Sequence, residues 1–420
     1  MKKLIALLLA LLTLTSLFVG CSKDAAARTV NTETVIVYED SVTARASAEH
    51  LCQALRPKVG ALLRTVANTA FNGDLATGNY IFVGETGLIA DLPALRDDAK
   101  VALYDEGLSI RGVDAFYLHL AAMHVAELWG SDEAHGMKEG ALWIDADIAK
   151  KLDTVKEKDE QVLTVMSQNV LINAPGWDPP ADRIIGLNEL VKKYDPDLLG
   201  FQEVSYVWYG LIEKYFGDDY GIIGNSRDGV DATTGEWAPV LYRKSRFEVL
   251  DSGCFWLSDT PGVPSSYPDA YVARTCSWAK LRDKKTGQKL LFANSHLDPD
   301  LAGHSGASAR HKQMAVITNF LKDHVGKCAV YLTGDFNMGI DSIVLPENMS
   351  TSKARSAVNT SKTATTCGPA EIDFVFYNQL YSTPVQYHVC DEKYNGKKEN
   401  DPMAEFISDH FGVVGRFLPK

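Results

Sequence analysis

Apolar and polar positions alternate in short runs along most of this chain, and polar residues recur where these runs end. VLTVMSQNVL, LLGFQEV, AVYLTG and EIDFVFY read as strands, because β-rich apolar runs of this length are bounded by polar or turn residues. APVLYRKSRFEVLDSGCFWLS reads as two successive strands, and RTCSWAKLRDKKTGQKLLFANSHLD as a hairpin turning at Lys284 to Gly287. Helical spacing appears in RIIGLNELVKKY and from about Ser308 to His324. Many strands with interspersed helices and few parallel βαβ units predict an α+β sandwich of sheets covered by helices.

The first third of the chain has a different style. TVIVYE and YIFVGE read as strands, VALYDEGLSIRG as a hairpin, and DAFYLHLAAMHVAELWG as a helix with an N-cap at Asp114 and a terminal Gly130. A further helix runs from about Ala44 to Val66, interrupted at Pro57. These elements predict a small α/β domain over residues 33–150, weakly similar to the accessory domains that precede the catalytic domain in some carbohydrate-active enzymes. His119 and His124 lie on an apolar helix and read as packed or surface histidines. The charged stretch KKLDTVKEKDEQ, Lys150 to Gln161, is the predicted boundary with a second domain over 160–420.

Composition changes this picture at the N-terminus. Met1-Lys2-Lys3 precedes the apolar LIALLLALLTLTSLFV, the layout of a secretory signal. The end of this segment, LFVGCS, resembles a bacterial lipobox, which implies that residues 1–21 are a lipoprotein signal with Cys21 as the lipidated residue, and that 22–32 form a tether. The expected location is the cell envelope, facing the exterior or the periplasm, with the membrane as a partner through Cys21. Six further cysteines are even in number and permit pairing, and they contain no Cys-x-x-Cys, which argues against a zinc or redox motif. The 420-residue chain carries a net charge of −12, which disfavours nucleic acid as a partner without excluding a local basic patch.

The stretch LTGDFNM places Asp335 and Asn337 two residues apart past a strand end, so a carboxylate and an amide share one face. Similar polar residues end other strands: Asn169 in SQNV, Glu203 in FQEV, His296 in NSHLDP, Asp373 in EIDF, and Asp409-His410 in SDHF. Taken together and in this order, these motifs resemble the endonuclease/exonuclease/phosphatase superfamily of deoxyribonuclease-like hydrolases, over about Val162 to Pro419. The resemblance implies a four-layer α/β/β/α sandwich. It implies that Asn169 and Glu203 hold a divalent metal, usually Mg²⁺ with Mn²⁺ as the alternative, joined by Asp409 of the terminal pair. It implies that Asp335 and Asn337 position the water and the phosphate, that Glu236 orients His296, that Asp373 orients His410, and that Arg274 contacts phosphate. Leu171 stands where some nucleases of the family carry a second acid, which weakens the analogy to abasic-site repair enzymes.

The chemistry agrees with these residue types. Magnesium takes oxygen ligands and keeps several waters, so Glu203 with an amide meets its demand, whereas zinc favours more His and Cys. A carboxylate behind each histidine favours the imidazolium, suited to binding a charged phosphoryl centre or moving a proton. The sequence leaves open whether Asp335 or His410 is the general base. The expected function is a Mg²⁺-dependent phosphodiesterase or phosphatase with an unidentified phosphoester substrate. An extracellular nuclease and a non-catalytic surface binding protein that retains the fold are the alternatives. Phe255 and Trp256 read as packed residues, against a membrane-inserting aromatic hairpin.

Overall fold

The computed structural model describes residues 28–96, 98–130, 142–144, 149, 156–355, 358–359, 364–394 and 406–420. The expected signal segment with Cys21 lies outside these residues. The chain divides into two compact units, Met1–Lys156 and Glu157–Lys420, and the charged stretch Lys150 to Gln161 spans the division.

The first unit holds a five-stranded sheet in the order Arg64–Ala67, Val35–Tyr38, Tyr80–Val83, Leu108–Gly112, Ala99–Leu103. Two helices, Val42–Val59 and Ala115–Gly130, pack together beside it. Ser41 starts the first helix by accepting the Ala44 N–H at 3.2 Å, and Gly60, at φ +78°, closes it in the left-handed conformation. The helix therefore ends short of the expected Val66. Pro57 sits in its last turn, where it lacks the N–H that would bond back to the preceding turn, and Arg64–Ala67 becomes a strand parallel to Val35–Tyr38. The expected tether also shortens, because Arg28–Val30 pairs with Leu142–Ile144. His119 is buried against Ser47, 3.1 Å away, and Trp129 is buried as well.

In the second unit a seven-stranded sheet runs Tyr220–Ile223, Val240–Arg243, Leu198–Gln202, Leu163–Asn169, Gly412–Pro419, Ser382–Cys390, Val358–Asn359. A six-stranded sheet runs Phe247–Trp256, Thr275–Asp283, Lys289–His296, Ala329–Asp335, Asp373–Asn378, Met349–Thr351. Alternation along the strands sorts their side chains into three apolar layers. Val165 and Leu198 meet Phe292 and Tyr331 between the sheets. Met166, Leu199 and Phe201 face the other way, against the helices Pro180–Tyr194 and Tyr206–Phe216. Leu291 and Ala293 pack on Met314, Ile317 and Leu321 of the helix Ala307–Val325. The result is the four-layer α/β/β/α sandwich. Phe255 packs on Phe320 at 5.0 Å between ring centres and Trp256 is buried. The six cysteines from Cys52 to Cys390 are free thiols. No helix among the described residues is long and apolar enough to cross a membrane.

Candidate active site

Strand register brings the polar strand ends together. His296 pairs with Asp335 on the parallel neighbour, and Asp335 pairs with Asp373 on the antiparallel one, so the three occupy one row at the ends of three interior strands of the six-stranded sheet. In the facing sheet Asn169 pairs with Gln202, which puts Glu203 one residue beyond the strand end. His410 arrives from the other direction, just before the strand Gly412–Pro419, whose Val413 pairs with Ser167. Glu203 and Asn337 hold left-handed φ values of 57° and 50°, strained for non-glycine residues, and turn the chain back as soon as it leaves the strand.

Asn169 links the two sheets. Its Nδ2 donates to Glu203 Oε1 at 3.0 Å and to Asp335 Oδ2 at 3.1 Å, while its Oδ1 accepts the Leu171 N–H at 2.9 Å. Glu203 Oε2 accepts the Ile172 N–H at 2.9 Å. Asp335 Oδ1 accepts the Asn337 N–H at 2.9 Å. The Nε2 atoms of His296 and His410 lie 3.5 and 3.6 Å from Asp335 Oδ2. His410 Nδ1 is 2.8 Å from Asp373 Oδ2, the expected carboxylate-backed pair, and Thr365 donates to the same oxygen at 2.8 Å.

The second expected pair is built differently. Glu236 Oε2 lies 3.9 Å from His296 Nδ1, beyond hydrogen-bond reach, and the Arg274 guanidinium stands between them. Arg274 Nη1 is 3.0 Å from His296 Nδ1 and 3.3 Å from Glu236, and Arg227 holds the same Glu236 oxygen at 3.0 Å. A guanidinium only donates, so His296 Nδ1 accepts and its proton sits on Nε2, 3.5 Å from Asp335 Oδ2. Glu236 therefore orients Arg274 directly and His296 only through it.

Electrostatics separate the two histidines. Burial holds His296 well below the usual imidazole range, with the positive charges of Arg274, His410 and Arg227 adding to it, so the ring is neutral where a carboxylate partner predicted a cation. Burial also opposes charge on His410, but Asp373, Asp335 and Asp409 outweigh it and raise the group well above that range. Burial and the charge of Asp373 push Asp335 up to about 6. Glu203 is raised by burial and by the charges of Glu236 and Asp409. This crowd of buried carboxylates suits a divalent cation. Asp335 and Asp373 offer carboxylate oxygens within 4.8 Å of one another, and Asp373 Oδ1 is a buried acceptor with no hydrogen-bond partner among the described residues. Asp409 is half-buried behind His410, its backbone oxygen accepting from Cys367 at 2.7 Å, and it reaches Glu203 through its charge.

A cavity of about 230 Å³ opens over this cluster, bounded by Glu203, Arg274, His296, Asp335, Asn337 and His410. Arg227, Tyr271 and Leu301 also line it and carried no motif in the sequence. Asp298, inside the NSHLDP motif, is fully buried and accepts the Tyr271 N–H at 2.9 Å, which fixes that wall.

Two sheets that converge their polar strand ends on one oxygen-lined cavity define a sandwich hydrolase of the deoxyribonuclease-like class. The profile of the Endonuclease/Exonuclease/phosphatase family matches residues 166–410, and the chain belongs to this family, whose members are generally hydrolases of phosphoesters and generally use divalent metal ions. An endonuclease/exonuclease/phosphatase family protein from Bacteroides thetaiotaomicron is 28% identical, with a TM-score of 0.55, over 61% of this chain and 97% of its own. A mannosyl-6-phosphatase from the same species is 28% identical, with a TM-score of 0.54, over 61% of this chain and 99% of its own. A family member from Bacteroides vulgatus is 27% identical, with a TM-score of 0.54, over 62% of this chain and 99% of its own. No curated protein matches the sequence.

Proposed function

We propose that the protein is a Mg²⁺-dependent phosphatase for small phosphoesters, phosphorylated sugars first among them. The observation that carries this reading is the placement of Asp335 Oδ2 within 3.6 Å of two histidines whose charge states differ, beside the Asn169–Glu203 pair. Glu203 and Asn169 would hold the cation, with Asp409 adding negative charge behind them. When bound, the cation supplies Lewis-acid charge to the phosphoryl and leaving oxygens. Asp335 takes the proton of the attacking water, held in place by the Asn337 N–H. His410, kept protonated by Asp373, donates to a phosphoryl oxygen. His296 presents its Nε2–H, and Asn337 its amide, to the same group. Arg274 and Arg227 offset the remaining charge of a phosphate at the opposite wall.

The substrate class rests on three supports: the mannosyl-6-phosphatase likeness over nearly that protein's full length, the cavity of about 230 Å³, and the net charge of −12. A small cavity in an acidic protein suits a compact monoester better than a duplex. The proposal includes a lipid anchor at Cys21, which would hold the enzyme on the outer side of a membrane. Turnover of mannose 6-phosphate, p-nitrophenyl phosphate, bis-p-nitrophenyl phosphate and plasmid DNA, each with Mg²⁺ and with EDTA, tests the reading. Monoester turnover abolished by EDTA is expected. Cleavage of DNA alone would make the protein a nuclease, and no turnover of any substrate would make it a binding protein.

A further inference from the structure

A second cluster of metal-ligating side chains lies on the opposite face of the seven-stranded sheet from its partner sheet. Along the strand Ser382–Cys390 and its continuation, Tyr387 and Val389 point into the core between the sheets. The alternate residues His388, Cys390 and Glu392 face the other way, toward the C-terminal end of the helix Pro180–Tyr194. That helix brings Tyr194, whose hydroxyl is 2.6 Å from His388 Nε2 and hydrogen-bonds Glu392 Oε1. Its phenol also neighbours the Cys390 thiol. An imidazole nitrogen, a thiol sulfur and a carboxylate oxygen thus lie within 4.8 Å of one another, with a phenol oxygen among them.

We propose that His388, Cys390 and Glu392 form a structural site for a borderline-soft divalent cation of the zinc type, with Tyr194 or a water as the fourth ligand. The donor set decides the ion. One sulfur, one nitrogen and one oxygen suit tetrahedral zinc, whereas magnesium and calcium require oxygen ligands throughout. His-x-Cys-x-Glu on an extended chain is a spacing that a search for Cys-x-x-Cys does not find.

Two further observations point to a ligand. Among the described residues Glu392 Oε2 is shielded from solvent and has no hydrogen-bond partner, although its sister oxygen is held by Tyr194 and Lys193. A cavity of about 160 Å³, bounded by Leu190, Lys193, Glu392 and Tyr394, borders this carboxylate. The Lys193 ammonium that meets Glu392 belongs to a side chain that is 58% exposed and free to swing into solvent. Coordination replaces the Cys390 S–H bond with a sulfur–metal bond, and the proton leaves to solvent. The ion would pin the end of an inner strand to the end of a covering helix, on elements that contribute none of the catalytic side chains.

Cobalt(II) is the probe, because it substitutes for zinc and a thiolate ligand gives it a near-ultraviolet charge-transfer band that oxygen and nitrogen ligands do not. The full chain, treated with chelator and reductant and then titrated with Co²⁺, should develop this band to one equivalent and should melt at a higher temperature with Zn²⁺. Cys390→Ser should lose the band, while Cys254→Ser should keep it. His388→Gln and Glu392→Gln alter half-exposed positions and serve if Cys390→Ser does not fold. Each should weaken Co²⁺ binding by at least about tenfold, the loss that follows when even the groups behind a metal's ligands are changed. A wild-type protein with no thiolate band at excess Co²⁺, a band that survives Cys390→Ser, or unchanged binding in both Gln variants would overturn the proposal.

Discussion

His410 Nδ1 lies 2.8 Å from Asp373 Oδ2, and the ring turns its other nitrogen toward Asp335, 3.6 Å away. The buried carboxylate thereby fixes which nitrogen faces the cavity and keeps the imidazole charged. Asp373→Asn preserves shape and removes the charge. It should lower kcat by roughly 10²–10⁴-fold, the usual contribution of a positioned acid or base, with little change in KM. Steady-state kinetics on a monoester substrate measure this. A KM effect without a kcat effect would mean that the pair only shapes the pocket.

Asp335 should behave as a residue that serves activity at the expense of stability. Its folded-state carboxyl is pushed up to about 6, first by burial and then by Asp373. A carboxyl raised above its unfolded value stabilises the fold only at low pH, and this contribution is lost as pH rises through about 6. At neutral pH the ionised group therefore strains the apo protein. Asp335→Asn keeps one oxygen, enough for the Asn337 N–H but not also for Asn169 Nδ2, and removes the charge repulsion. The variant should be inactive and melt at or above the wild-type temperature in metal-free buffer. A melting point several degrees lower would show that the carboxylate is a net structural asset.

Much of this site was legible because its elements are local. Asn169, Glu203, His296 and Asp335 each sit at or just past the end of an apolar run, whereas Asp335 and Asn337 meet through the left-handed turn at Asn337, whose N–H donates to Asp335 Oδ1, and not through strand alternation. What escaped the sequence depends on contacts between distant segments. Arg274 separates Glu236 from His296 because a guanidinium from the start of the strand Thr275–Asp283 crosses their line, and spacing carries no trace of that crossing. Arg227 and Tyr271 come from loops. Arg28–Val30 read as tether because its sheet partner among the described residues, Leu142–Ile144, lies at the far end of the first unit. The helix end at Gly60 was masked by apolar residues that continue past it into a strand.

Gly200 is a packing requirement directly beneath the site. A Cβ there would stand 2.2 Å from Thr333 Oγ1 and 2.4 Å from Asn294 Oδ1. These atoms belong to a buried polar tie between the sheets: Gln202 Nε2 donates to Asn294 Oδ1 at 2.7 Å, and Thr333 Oγ1 donates to it at 2.9 Å. Asn294 Nδ2 in turn donates to the Phe201 carbonyl at 2.7 Å. Gly200→Ala must push the sheets apart or break these bonds. It should cost about 1–3 kcal/mol in urea unfolding, the range for overpacking a tight interior. It should also lower kcat, since Thr333 and Asn294 lie two residues before Asp335 and His296 on their strands. Wild-type stability would mean that the interface relaxes freely.

The first unit should lose stability in mild acid. His119 is buried on the helix Ala115–Gly130, and its pKa is lowered to about 3 by burial and by the neighbouring His50 ring, 5.4 Å away. His50 is itself lowered by burial. A histidine whose folded pKa is depressed binds its proton more readily unfolded, where the value is about 6.5. Its neutral form is therefore fully accommodated above about 6.5, and stability falls as pH drops from there toward 3, by up to about 1.4 kcal/mol per pH unit for each proton taken up on unfolding. Urea unfolding at several pH values, followed through the buried Trp129, reports on this unit. His119→Phe fills the site without a titrating group and should flatten the pH dependence between about 6 and 4. A slope that persists unchanged in this variant would assign the acid sensitivity to other groups.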